Sequence, residues 1–93
     1  MIECREGRCS VRGPITINNV VALLAHGNGL FTGQEVTVDL NGVTEVDSSA
    51  LSLLLEWRRE AGRHGRVIHF VNLPVNLTSL AKLYGVTEML NPA

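Results

Sequence analysis

The segment VTVDLNGVTEVDSSALSLLLEW, residues 36–57, changes its periodicity half-way along. Val36, Val38 and Leu40 alternate with Thr37 and Asp39, which puts apolar side chains on one side of an extended chain and polar ones on the other. Glu35 to Leu40 is therefore read as a strand. Asn41-Gly42 is a turn dipeptide, and Val43 to Val46 reads as a short extended segment beyond it. From about Ser49 the apolar residues recur at helical spacing until Gly62 or Gly65 stops them. A strand is thus handed to a helix directly behind an acid and two hydroxyls, Asp47, Ser48 and Ser49.

On the N-terminal side of this junction, Ile2 to Arg5 and Arg8 to Arg12 read as two short strands around the turn residues Glu6-Gly7. Gly13-Pro14 is expected to break the second strand. Thr16 is then placed to cap a helix through Asn18, Val20, Val21, Leu23 and Leu24 to about His26, ended by Gly27-Asn28-Gly29. On the C-terminal side, the β-branched run VIHFV, Val67 to Val71, reads as a buried strand. Leu77, Leu80, Ala81 and Tyr84 follow at i, i+3, i+4 and i+7, the apolar side of a helix with Asn76 as a candidate cap and Gly85 at its stop. Val86, Met89 and Leu90 are assigned to a last short edge element. Strands alternating with helices after an opening hairpin give an α/β fold, a mixed sheet covered by helices. Without a linker, internal repeat or low-complexity tract, residues 1–93 are taken as a single domain.

Bulk properties narrow the function classes. With 45% hydrophobic and 18% charged residues and a net charge of −1, the chain is neither a disordered tail nor a polybasic nucleic-acid binder. The longest apolar run, Val20 to Ala25, is far below the roughly 20 residues that span a bilayer, and no secretory signal is recognised. A reducing, cytosolic compartment is expected. Cys4 and Cys9 are read as strand or hairpin thiols, because their spacing and the lack of a nearby histidine fit no standard zinc site.

The two serines invite three chemistries. As helix caps they would accept from one of the unpaired first-turn N–H groups, typically for about 1 kcal/mol, with Asp47 favoured by the helix dipole. One residue suffices for that, so capping does not account for all of them. A nucleophilic serine would need a base and an oxyanion site, and the glycine-flanked elbow G-x-S-x-G is absent. Phosphate-binding glycine loops are also absent, since Gly27-Asn28-Gly29 follows a helix rather than opening one. Recognition remains, with or without modification: a phosphate on Ser48 or Ser49 would bring about −1.5 to −2 charges to a helix N-terminus and disrupt a surface docked there.

The helix behind the serines supports docking. Its apolar residues, Ala50, Leu51, Leu53, Leu54, Leu55, Trp57 and Ala61, spread over roughly 200° of the helical wheel, wider than the roughly 100° stripe that a one-sided surface helix needs. Some should remain exposed. Ser52, Glu56 and Arg59 form the polar side, and Trp57 is either an interface anchor or the closure of an aromatic-poor core. Arg58, Arg59, Arg63 and Arg66 surround the helix end, suited to its dipole or to an acidic partner.

Taken together, residues 36–57 resemble the signature of STAS domains, the module of anti-sigma factor antagonists: an apolar strand ending in Asp-Leu, a short connection, then Asp-Ser-Ser-Gly-Leu opening a helix. NLPVNLTSLAKLYGVTEML, residues 72–90, is more similar to one branch, the small MlaB-like proteins associated with the Mla phospholipid ABC transporter of Gram-negative bacteria. The resemblance runs from about Arg8 to Leu90. It implies the STAS fold, a mixed sheet of four to five strands with helices on one side. In the antagonist branch the serine matching Ser49 is phosphorylated by a kinase that is also the anti-sigma factor; in the MlaB-like branch the residue matching Ser48 lies at the contact with the transporter ATPase, MlaF. Ala50 replaces the usual glycine, and its methyl is expected to narrow the space a kinase needs beside Ser49, which favours the transporter branch.

The resulting expectation is a non-enzymatic, cofactor-free and metal-free subunit that binds an MlaF-like ABC ATPase, and through it the permease, in support of phospholipid transport and outer-membrane lipid asymmetry. Ser48, Ser49, Leu51, Ser52, Leu55 and Arg59 are the expected contact residues, with Asp47 fixing the loop; Ser49 and Ser48 are the phosphorylation candidates. The protein would be cytoplasmic, peripheral to the inner membrane through its partner, without inserting into it or binding nucleic acid. The alternative is an anti-sigma factor antagonist switched by a serine kinase.

Overall fold

The computed structural model describes residues 1–90. Strand β1 (Ile2–Arg5) turns back into β2 (Arg8–Ile15) through Glu6 and Gly7, whose φ angles of 51° and 81° are the paired left-handed values of a two-residue hairpin loop. The pairing sets Cys4 opposite Cys9 with Cα atoms 4.0 Å apart, and the two are joined in a disulfide. This corrects the expectation of two separate thiols. Sequence spacing carries no information on cross-strand register, and register decides whether two cysteines meet.

Strand β2 does not stop at Gly13-Pro14 as expected but continues to Ile15. Its β1 neighbour runs out opposite Val11, so the missing N–H of Pro14 costs no pairing on that side. Beyond β2 lies β3, which is one continuous strand, Glu35–Val46, rather than two segments around an Asn41-Gly42 turn. The parallel β2–β3 register slips by one residue between Ser10 and Arg12 and again between Gly13 and Ile15, so β3 carries two bulges. Asn41 sits in the first, its N–H held by Asp39 Oδ1 at 2.9 Å. Gly42 follows where a Cβ would lie 3.0 Å from Arg12 Cγ and 3.2 Å from the Val11 carbonyl, so the glycine serves close strand approach, not chain reversal. Strand β4 (Val67–Val71) adds parallel to β3, giving the order β1-β2-β3-β4. It is an edge strand on which only Phe70 is fully buried, not the wholly buried strand expected.

All helices cover one face of this mixed sheet. Val11, Ile15, Val36, Val38, Leu40 and Phe70 supply the sheet's side of the core. The opposite face is polar and tied by exposed ion pairs, Arg8–Asp39 at 3.0 Å and Arg12–Glu3 at 3.7 Å. On the covered face, α1 (Val20–Leu30) starts later and runs longer than the sequence suggests. Thr16 caps only the preceding turn, its Oγ1 accepting from Asn18 N at 3.3 Å. At the other end α1 passes through Gly27-Asn28-Gly29, because Gly27 is where it crosses α2 (Ser48–Arg63): a Cβ on Gly27 would lie 2.6 Å from the Trp57 indole. Trp57 is 0% exposed, donates Nε1 to the Leu24 carbonyl at 3.3 Å and meets Phe31 edge-to-face at 5.1 Å. It closes the core, which removes it from the surface candidates.

Helix α3 (Val75–Leu83) begins behind Pro74, whose lost N–H is one that a first turn leaves unpaired anyway; Asn76 is not its cap. Gly85, at φ 69°, ends it. The last described element, Thr87–Leu90, is a one-turn helix, α4, and not an edge strand. It docks Leu90 into the core against α2.

Candidate functional site

Asp47 organises the N-terminal end of α2. It is the extended residue before the helix, and its Oδ1 accepts the Ser49 N–H at 2.8 Å. Its Oδ2 accepts the Ile17 N–H at 2.9 Å, tying the β2–α1 loop to the start of α2. The Ile17 amide, helped by the N–H and hydroxyl of Ser49, holds this carboxyl below its ordinary value of 3.8 against the opposing effect of partial desolvation. The cap is therefore the acid, and both serine hydroxyls are released from that duty. Ile17 was not legible as a participant, since it contributes a backbone N–H, for which no side-chain signal exists.

Beside this cap runs an open groove of about 470 Å³ between α2 and the turn that follows α3. Ser48, Ser52 and Leu55 recur at i, i+4 and i+7 and so share one side of the helix. Ser49, Leu51, Ser52, Leu55 and Ser48 all reach the groove, and Tyr84 and Val86 form its far wall. Leu51 is only 4% exposed, so it belongs to the floor and not to the exposed surface expected of it. Asp47 lies behind the lining, and Arg59 lies outside it, paired with Glu56 at 3.5 Å. Tyr84, 58% exposed, was expected on the buried side of α3; sitting in the C-terminal cap just before Gly85, it is turned toward the groove instead.

The groove is lined by hydroxyl and aliphatic groups, with no ionised side chain. His64 and His69, which contact Glu60 and Glu35, belong to the other end of α2, roughly 20 Å away at 1.5 Å per helical residue. The serines thus have no partnering base, and among the described residues no group of three or more potential ligands is placed to hold a metal. Such a surface suits packing against another protein more than bond-making. The described residues also contain no helix long and apolar enough to cross a membrane.

A family model described as "Mlab, STAS domain" matches residues 3–91. The chain belongs to the STAS domain family, in its MlaB-like branch. Among solved structures, this STAS domain is similar to the anti-sigma factor antagonist SpoIIAA in its unphosphorylated form, with a TM-score of 0.73 at 14% identity over 92% of this chain and 80% of that one. It is similar also to a protein designated Mglu, with a TM-score of 0.63 at 22% identity; 81% of this chain corresponds to 20% of Mglu. At these identities the likeness is one of fold. No curated protein matches. STAS domains in general bind and regulate other proteins, and the helix-covered four-stranded sheet seen here is that fold.

Ala50 requires a correction. It is 0% exposed, so its methyl points into the core and leaves the approach to Ser49 unobstructed. The glycine-to-alanine departure therefore does not discriminate against a kinase.

Proposed function

We propose that this STAS domain is a non-enzymatic subunit that docks on a cytoplasmic ABC ATPase of the MlaF type, and through it on the permease, in support of phospholipid transport and outer-membrane lipid asymmetry. The observation that carries this reading is the neutral groove along α2, where Ser48, Ser52 and Leu55 share one side with Tyr84 and Val86 opposite. Small hydroxyls released from capping permit close approach of another backbone, and Leu55 with Tyr84 offers apolar area for the centre of an interface. Ser49 and Leu51 support the floor, Asp47 fixes the loop, and Arg59 lies at the rim. Membership of the MlaB-like branch agrees with this assignment.

Affinity purification of the tagged chain from its native cells, with mass spectrometry of what accompanies it, tests the proposal. An ABC ATPase with its permease is the expected result. Ser48→Glu should abolish that co-purification while the circular dichroism spectrum stays unchanged. Undiminished binding by the variant would remove Ser48 from the interface, and recovery of a sigma regulator would overturn the transporter assignment.

The second reading, an antagonist switched at Ser49, draws on the open approach left by the buried Ala50. A phosphate there would face the Asp47 carboxylate, and like-charge repulsion would loosen the tie between Asp47 and Ile17. Incubation with the cognate kinase and ATP should then add one phosphate, lost in Ser49→Ala; an unmodified mass would remove this reading.

A further inference from the structure

The other end of α2 borders a second concavity of about 310 Å³, enclosed by the last turns of the helix, the start of β4 and the end of α4. Arg58, Arg66 and His69 stand around apolar Val67, Ile68 and Leu90. The four arginines near this helix end divide into two kinds. Arg59 and Arg63 pair along the helix with Glu56 and Glu60, at 3.5 and 3.1 Å. Arg58 and Arg66 have no carboxylate partner among the described residues, and these are the two that line the concavity.

Their surroundings explain what they are prepared for. Arg66 donates Nε to the Gly33 carbonyl at 2.9 Å, which fixes the guanidinium in place. Arg58 Nη1 is sealed from solvent and has no hydrogen-bond partner among the described residues. A guanidinium stays charged at any physiological pH, so a sealed, unsatisfied nitrogen on it is costly until acceptor oxygens reach it. His69 is engaged with Glu35 at 3.1 Å and belongs to the rim. No carboxylate lines the space.

We propose that this concavity binds a phosphate-bearing ligand with a small apolar substituent, its oxygens shared between Arg58 and Arg66. A carboxylate has two oxygens, which one guanidinium fork already occupies; the three terminal oxygens of a phosphomonoester serve two forks. The volume lies at the lower end of the range for small-molecule sites, and Val67, Ile68 and Leu90 give the substituent an apolar floor. The site is separate from the groove beside Ser48 and does not rest on the transporter or antagonist reading.

Titration of the ¹⁵N-labelled full chain with inorganic phosphate, phenyl phosphate and acetate, at ionic strength held constant with sodium chloride, tests this. Both phosphates should shift the Arg58 and Arg66 side-chain resonances saturably, with phenyl phosphate about tenfold tighter through burial of its ring. Arg58→Gln should weaken binding about tenfold or more, and Arg58→Lys, which keeps charge but loses the fork, should recover only part of it. Should Arg58→Gln fail to fold by circular dichroism, Arg66→Gln, in the loop before β4, is expected to show the same loss. Glycerol 3-phosphate and phosphatidylcholine vesicles carrying phosphatidic acid distinguish the sources: binding of both marks a soluble ligand, and binding of the vesicles alone marks a lipid headgroup. Acetate binding as tightly as phosphate, no saturable shift, or equal affinity in an Arg58→Gln/Arg66→Gln double variant would overturn the proposal.

Discussion

The two ends of α2 are built from opposite materials. At its start, one carboxylate takes both nearby amides and leaves small neutral hydroxyls at the surface. At its finish, guanidinium groups crowd a concavity without a matching acid. A neutral, shallow surface is cheap to desolvate and favours another protein, whereas fixed unpaired cations favour an anion. One helix can present both because the residues between them, Leu53, Leu54, Trp57 and Ala61, are buried in a shared core. The difference teaches that burial at the middle of the helix, and not the character of either end, keeps the two surfaces at fixed separation.

Removing that shared anchor should break the comparison most completely. Trp57→Ala is expected to lose about 3–5 kcal/mol of stability, measured by urea denaturation, since it empties the contact with Phe31 and α1. The same crossing can be attacked from the other side. Gly27→Ala would gain helix propensity worth about 0.8–1 kcal/mol, but its methyl meets three indole atoms at 2.6 Å; the clash wins, for a net loss of about 1–3 kcal/mol. Gly29→Ala sharpens the point. It lies in the same helix with nothing within 4 Å, so it should stabilise by about 0.5–1 kcal/mol in the same assay.

Asp47→Asn probes the start of α2 alone, with an effect smaller than that of Trp57→Ala. The folded-state pKa of Asp47 is depressed, so its stabilisation is complete above the unfolded value, near 3.8, and disappears as pH falls through the lower folded value. The gap in melting temperature between wild type and variant should therefore be widest near neutral pH and close on acidification; a constant gap would mean that the carboxylate's charge is not what matters. Ser48→Ala is the smallest perturbation. An exposed hydroxyl that caps nothing should change stability by less than about 0.5 kcal/mol, so any loss of partner binding would report the surface itself.

The sequence made the alternating strand, the helix behind Asp47 and the hairpin legible because each rests on local periodicity or turn chemistry. It misled where a local signal is shared by two structures. Asn41-Gly42 reads as a reversal, yet pairing with β2 converts it into a bulge. Gly27-Asn28-Gly29 reads as a stop, yet the Trp57 ring needs the bare backbone of Gly27 inside the helix. In the site, Ser48, Ser52 and Leu55 were readable from helical spacing, but Tyr84, Val86 and the Ile17 amide arrive from distant segments. Arg58 and Arg66 looked alike in sequence to Arg59 and Arg63, because only packing decides which of the four finds a glutamate.

The two bulges of β3 make the length of that strand a fixed quantity. Each advances β3 by one residue against β2, and together they restore the alternation of faces before the chain reaches Asp47. Deleting Asn41 alone would turn every side chain from there to the helix onto the wrong face, while losing one residue at each bulge would preserve the phase. Relatives that differ in length between Leu40 and Val46 should therefore do so by an even number of residues. An alignment that opens a single-residue gap there would place the wrong residue opposite Asp47, however high it scores.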